Sequence, residues 1–192
     1  MTLTTTPRPQ TGTSPDGTDA KRLLLEARDL SFSLPARKKL HFGIVQYGSD
    51  VKSPAAKFGI QGRNAATNAV EFEYPSTSFE YAFRLPVPEK AQKQYNFVLI
   101  PKSAAREGGE TVIWTVNHGP LKSVKIEDDG LKQIISSPDD ILEKTLSFVF
   151  QKSGFGLVMP DEREFASANR ESHRKNEVAY HVKAFRGSKE GM

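Results

Sequence analysis

The chain has 192 residues, a formal net charge of +4 and no cysteine. That length accommodates one domain with extensions, or one domain and part of another. The missing cysteines exclude a disulfide framework, a thiolate nucleophile and a cysteine-based zinc site, and no apolar run approaches the roughly 20 residues that cross a bilayer as a helix.

Residues 1–22 are rich in Thr, Pro, Gly and Ser and carry almost no apolar content. Such a segment buries too little surface to offset chain entropy, so residues 1–25 are expected to be a disordered N-terminal segment. It has no apolar h-region and does not read as a secretory signal. Leu23, Leu24 and Leu25 lead into the fold as a helical turn or a strand. Leu30, Phe32 and Leu34 then alternate with Asp29, Ser31 and Ser33, the period of a half-buried strand. Pro35 stops it, since proline has no ladder donor. A second alternating run follows from Leu40, so residues 28–46 read as an antiparallel hairpin with Pro35 to Lys38 at its tip. Phe58 and Ile60 suggest a short strand that Gly59 and Gly62 weaken.

Residues 68–101 hold seven aromatic side chains and organise the rest. Val70, Phe72 and Tyr74 alternate with Glu71 and Glu73. Phe79, Tyr81, Phe83 and Leu85 alternate with Glu80, Ala82 and Arg84. The expectation is a sheet with aromatics on one face and charges on the other. After a polar loop, Val112, Trp114 and Val116 face one way and Ile113 and Thr115 the other, apolar on both sides as in a central strand. Residues 117–136 read as a loop with a short strand or turn. Ser137 and Pro138 then open an amphipathic helix over 138–152, with Asp139 and Asp140 at its positive end, Leu142, Leu146, Val149 and Phe150 on one face, and Gly154 as C-cap. Residues 156–176 become a charged linker, and a strand pattern resumes in VAYHVKAF.

Taken in order, Tyr74-Pro75-Ser76-Thr77, Leu85-Pro86, Gln94-Tyr95-Asn96-Phe97-Val98, the strand around Trp114 and the Pro-started helix resemble the first pleckstrin-homology-like domain of the Rtt106-type histone chaperones, which is related to the middle domains of FACT complex subunits. The segment AYHVKAFRGSKEG is similar to the opening hairpin of the second such domain in that family. The resemblance covers about residues 28–192. It implies a mainly β fold: a partly open barrel of about seven antiparallel strands over residues 26–155, capped by a C-terminal helix. Residues 156–192 would then be a linker and the incomplete start of a second domain, as a gene model cut short would leave it. By the same resemblance the function is non-enzymatic: a nuclear chromatin protein that binds histones H3–H4 in nucleosome assembly, with DNA as a further partner.

The residues assigned to that contact are Arg37, Lys38 and Lys39, the tightest basic cluster, at the hairpin tip. Arg37 can hold a phosphate or carboxylate bidentately, while the lysines act as point charges. A solvated turn is the bland reading of the same residues. Arg170, His173, Arg174 and Lys175 form a looser cluster within the charged linker. Acidic candidates for basic histone surfaces are Glu71, Glu73 and Glu80, and Glu127 to Asp129 with Asp139 and Asp140. No His spacing matches a metal site, no nucleophile elbow or phosphate-binding loop is present, and no cofactor is expected. Trp114, Tyr81, Phe83 and Phe97 read as core rather than base-stacking platforms, because the opposite face of residues 70–74 is acidic. The rival reading is a phosphoinositide-binding pleckstrin-homology module using the same basic hairpin; another is an inactive fragment.

Overall fold

A computed structural model describes residues 21–48, 56–87, 91–102, 110–135, 137–160, 184–186 and 189–191. Its chief element is β1, a 14-residue strand over Lys21–Leu34. On one edge β1 pairs with β2 (Lys38–Tyr47) from Lys21 to Phe32; on the other, Leu25 to Ala27 pair with β8 (Val124–Ile126) and Ser31 to Leu34 with β7 (Val112–Asn117). One strand thus joins two sets of strands. On one side lie β2, β3 (Lys57–Asn64) and β4 (Val70–Pro75). On the other lie β7, β6 (Gln94–Pro101) and β5 (Phe79–Pro86), with β9 (Leu157–Val158) at the far edge. All these pairings are antiparallel except β5 with β9. The ladder runs β4-β3-β2-β1-β7-β6-β5-β9 and does not close, giving the expected mainly β, partly open barrel. Its turning point is a register shift between Ala27 and Leu30, where Asp29 adopts φ 56°, as a bulge that bends a strand requires.

The core forms where the two sets face each other. Trp114 is fully buried, with ring centroids 5.0 Å from Phe42, 5.1 Å from Phe97 and 5.8 Å from Phe32. Four strands each contribute one ring to this stack. The helix α2 (Ile141–Lys152) buries Leu142, Leu146, Val149 and Phe150 against it, the face its periodicity predicts. A 3-10 turn over Pro138–Asp140 precedes the helix, and the Ser137 hydroxyl accepts from the Asp139 amide at 3.3 Å. Gly154 takes φ +89° just past the helix end. Its C-terminal end is tied to the barrel where Ser153 and Ser76 share a 2.6 Å hydrogen bond.

Four expectations are amended. The strand begins at Lys21, inside the segment expected to be disordered; Leu24 and Leu25 are fully buried there, so these leucines offset the entropy of ordering the chain. Residues 1–20 lie outside the described residues, as do Arg170, His173, Arg174 and Lys175. Strand β3 is eight residues long rather than a short, weakened one. A Cβ on Gly62 would meet the Phe72 ring at 2.2 Å, and one on Gly59 the Tyr47 hydroxyl at 2.6 Å; these glycines admit neighbouring side chains rather than weaken the strand. The 117–136 region contains a short helix, α1 (Asp129–Ile134), capped by Asp128, as well as β8. In β5 the alternation breaks: a register shift between Phe79 and Tyr81 leaves Phe79 and Ala82 buried, and turns Tyr81 and Leu85 to solvent. One extra residue in a ladder flips every side chain beyond it.

Past the helix, β9 adds Leu157–Val158 to the sheet at β5. Further on, β10 (Ala184–Arg186) and β11 (Lys189–Gly191) pair as two antiparallel strands; Gly187 and Ser188 of the expected turn lie outside the described residues.

Candidate functional site

Strand β1 ends at Leu34, and the chain turns through Pro35, Ala36 and Arg37 before β2 begins at Lys38. The Lys38 amide donates to the Ala36 carbonyl at 3.0 Å and closes the turn. Lys38 then pairs with Phe32, Lys39 with Ser31 and Leu40 with Leu30. Since Leu40 is buried, Lys39 points away from the core. The tip is where the sequence placed it, and all three cations are exposed.

They are not equivalent. The Lys38 ammonium forms an ion pair with Glu71 at the start of β4. The same carboxylate accepts from Asn64 Nδ2 at 2.7 Å. Hydrogen bonds from Lys38 and Asn64 hold the Glu71 carboxyl below its usual range. Lys38 therefore fastens the hairpin tip to the β3–β4 turn. Arg37 and Lys39 have no carboxylate partner among the described residues. The tip presents two uncompensated cations, one planar and one compact, straddling a neutralised third.

The acidic candidates are mostly engaged within the fold. Glu73 pairs with Lys21 and accepts from the Tyr47 hydroxyl at 2.6 Å. Burial, then that bond to Glu73, pushes the Tyr47 phenol far above its ordinary value. Glu127 pairs with Lys125. Asp128 accepts from the Leu131 amide at 2.9 Å as the cap of α1 and also pairs with Arg22. Asp129 is held by Lys132 at 2.7 Å, which keeps its carboxyl low. Asp139 and Asp140 sit in the first turn leading into α2. Glu80 is exposed and hydrogen-bonded with the Tyr81 phenol.

At the other end of the barrel, a small cleft opens between Tyr95, His118 and the start of α2. Arg84 stands beside it, with its guanidinium 4.1 Å from the Tyr95 ring centroid and paired with Glu143. Among the described residues no three His, Asp or Glu side chains converge to hold a metal ion, and no helix is long and apolar enough to cross a membrane.

The sequence missed two things. One is the division of labour within the basic triplet, which depends on Glu71 lying 32 to 34 residues away in the chain. The other concerns the aromatics. Trp114 and Phe97 are core as expected, but Tyr81 is 48% exposed and stacks on Phe83 on the outside of the sheet, with centroids 6.1 Å apart. The signal for an apolar outer face was present in Ile113, which gave β7 apolar residues on both sides.

No protein-family model matches the chain. Among curated proteins it is similar to the histone chaperone RTT106 of Coccidioides immitis, 38% identical over 179 residues, which is 88% of this chain and 38% of that protein. It is 36% identical over 189 residues to the histone chaperone rtt106 of Aspergillus fumigatus, covering 93% of this chain and 39% of the relative. With that of Aspergillus clavatus the figures are 39% over 174 residues, 85% and 35%. The chain thus spans under two fifths of the length of these relatives.

Proposed function

The chain belongs to the Rtt106-type family, and from that premise we propose that it forms part of a nuclear histone chaperone that binds the H3–H4 pair, with its basic hairpin tip contacting DNA. The observation that carries the site is the exposure of Arg37 and Lys39, with no carboxylate partner among the described residues, at the end of a hairpin anchored by Lys38 and Glu71. A chaperone must release its cargo to DNA. That favours several moderate, salt-sensitive contacts over one deep pocket. Free cations on a rigid hairpin suit phosphates and acidic protein surfaces alike. The role needs no catalytic group, and the reading is non-enzymatic. Kinship with histone chaperones disfavours the phosphoinositide alternative, and so does the tip itself, where Lys38 is committed to Glu71 and only two cations remain for a headgroup.

The test is binding of H3–H4 and of duplex DNA to this chain at two salt concentrations. Removing one phosphate-binding cation lowers the log–log salt slope for DNA by about 0.9. Arg37→Ala with Lys39→Ala is expected to flatten it by about 2, and Lys38→Ala alone by less than 1. If the triple variant Arg37→Ala, Lys38→Ala, Lys39→Ala binds H3–H4 and DNA as the wild type does, the site assignment is wrong.

A further inference from the structure

The outer face of the sheet carries a row of apolar side chains that the function above does not use. Register aligns Val158 of β9 with Phe83 of β5, Phe83 with Val98 of β6, Val98 with Ile113 of β7, and Ile113 with Leu34 of β1. The row crosses five adjacent strands without a charged residue. Beside it, Tyr81 is aligned with Ile100. Leu34 is 42% exposed, Tyr81 48% and Val158 49%; Phe83, Val98, Ile100 and Ile113 are half-buried. A contiguous apolar patch of this kind marks an interaction surface more often than a lone exposed leucine does.

Opposite charges flank the row at its first and fourth strands. Leu34 is the last residue of β1 and leads to Arg37 at the hairpin tip. Three strands away, Glu80 lies exposed at the start of β5 beside Tyr81. Because β1 and β5 run in opposite directions through the intervening antiparallel strands, the end of β1 and the start of β5 lie on the same side of the row. A two-fold axis in the plane of contact, parallel to the strands and passing between β7 and β6, exchanges β1 with β5 and β7 with β6 and keeps the sides. It lays Arg37 of one copy against Glu80 of another, twice, with the uncharged rows facing each other. This is the self-complementarity that an isologous interface requires.

We propose that this face associates with a second copy of the chain, Leu34 packing against the other copy's Phe83, Ile113 against its Val98, and Arg37 pairing with its Glu80. Strands spaced about 4.8 Å apart give the row a length of roughly 19 Å. With its neighbouring row it supplies well under the roughly 800 Å² per partner of stable complexes. The association is therefore weak and depends on concentration and salt. It requires neither histones nor DNA and is independent of the functional reading.

Sedimentation equilibrium of the whole 192-residue chain, from about 10 μM to 1 mM at low salt, reads it directly. The weight-average mass is expected to rise toward that of a dimer with concentration. Ile113→Asp and, independently, Tyr81→Ser should hold it at the monomer value; both positions are at the surface, and circular dichroism checks the fold. Arg37→Glu sets like charges together at both contacts and should also give a monomer, as should Glu80→Arg. Combining the two reversals restores the complementarity and should restore the rise. A wild-type chain that stays monomeric throughout overturns the proposal. So does self-association that persists in Ile113→Asp, or failure of the double reversal to recover it.

Discussion

Substituting Gly62 by Ala tests how β3 and β4 are held together. A Cβ at Gly62 would lie 2.2 Å from one atom of the Phe72 ring, with two more ring atoms at 2.6 and 2.8 Å. Carbon atoms in contact sit about 3.5–4.0 Å apart, so the ring must retreat by more than about 1 Å. It has little freedom to do so. Phe72 is buried, stacks on Tyr74 at 5.5 Å and meets Phe32 edge-on at 5.8 Å. Overpacking of this kind costs about 1–3 kcal/mol. With a urea dependence of about 2 kcal/mol per M, the denaturation midpoint should fall by roughly 0.5–1.5 M. Gly156→Ala is the internal control. It has nothing within 4 Å of its Cβ and no positive φ, so it should leave the midpoint unchanged or raise it slightly through loss of unfolded-state freedom. Equal midpoints for Gly62→Ala and wild type would refute the close approach and the rigidity assigned to Phe72. Because β4 carries Glu71, the same variant should also loosen the Lys38 anchor.

Two further outcomes follow from the ion pairs. Arg84 and Glu143 are mostly buried, with 17% and 23% of their side chains exposed, and Arg84 also lies over Tyr95; Arg84→Ala should cost about 1–3 kcal/mol in chemical denaturation as the pairing, ring contact and packing disappear. Lys125→Ala breaks an exposed pair with Glu127 and should stay within about 0.5 kcal/mol, so equal costs for the two would sink the distinction. The second outcome concerns pH. The folded Glu71 carboxyl lies below its unfolded value, so its contribution is fully present above the ordinary glutamate range and is lost as pH falls through the lower folded value. Carboxyl-carbon NMR should find the Glu71 titration moved upward by Lys38→Ala, and an unmoved titration would show that Lys38 does not anchor the tip.

Much of this fold is written locally. Pro35 ends β1 and Lys38 opens β2 because a missing amide donor and a run of alternating apolar residues are properties of a few neighbouring positions. The long helix announces itself by its cap, its starting proline and its 3.6-residue periodicity, and the buried face is the one that periodicity gives. The basic triplet was legible for the same reason: a turn between two strands puts its charges in water. Less could be read where phase mattered. The run from Phe79 to Leu85 has a perfect period of two, and two of its three aromatic rings, Tyr81 and Phe83, nevertheless lie on the outer face. Leu34 likewise alternates with Phe32 but is exposed, because the β1–β7 register shifts between them.

The amino-acid pattern alone therefore determined most of the strands, the hairpin turn at Pro35 and the long helix that covers the core, since those follow from backbone sterics and short-range periodicity. Only the tertiary structure decided which side of each strand is inside, because one bulge reverses everything after it and a bulge depends on the partner strand. It also decided that Lys38 answers to Glu71 while Arg37 and Lys39 have no carboxylate partner among the described residues. Charge pairing across the sheet is a matter of distances in space between residues far apart in the chain, and no local pattern records them.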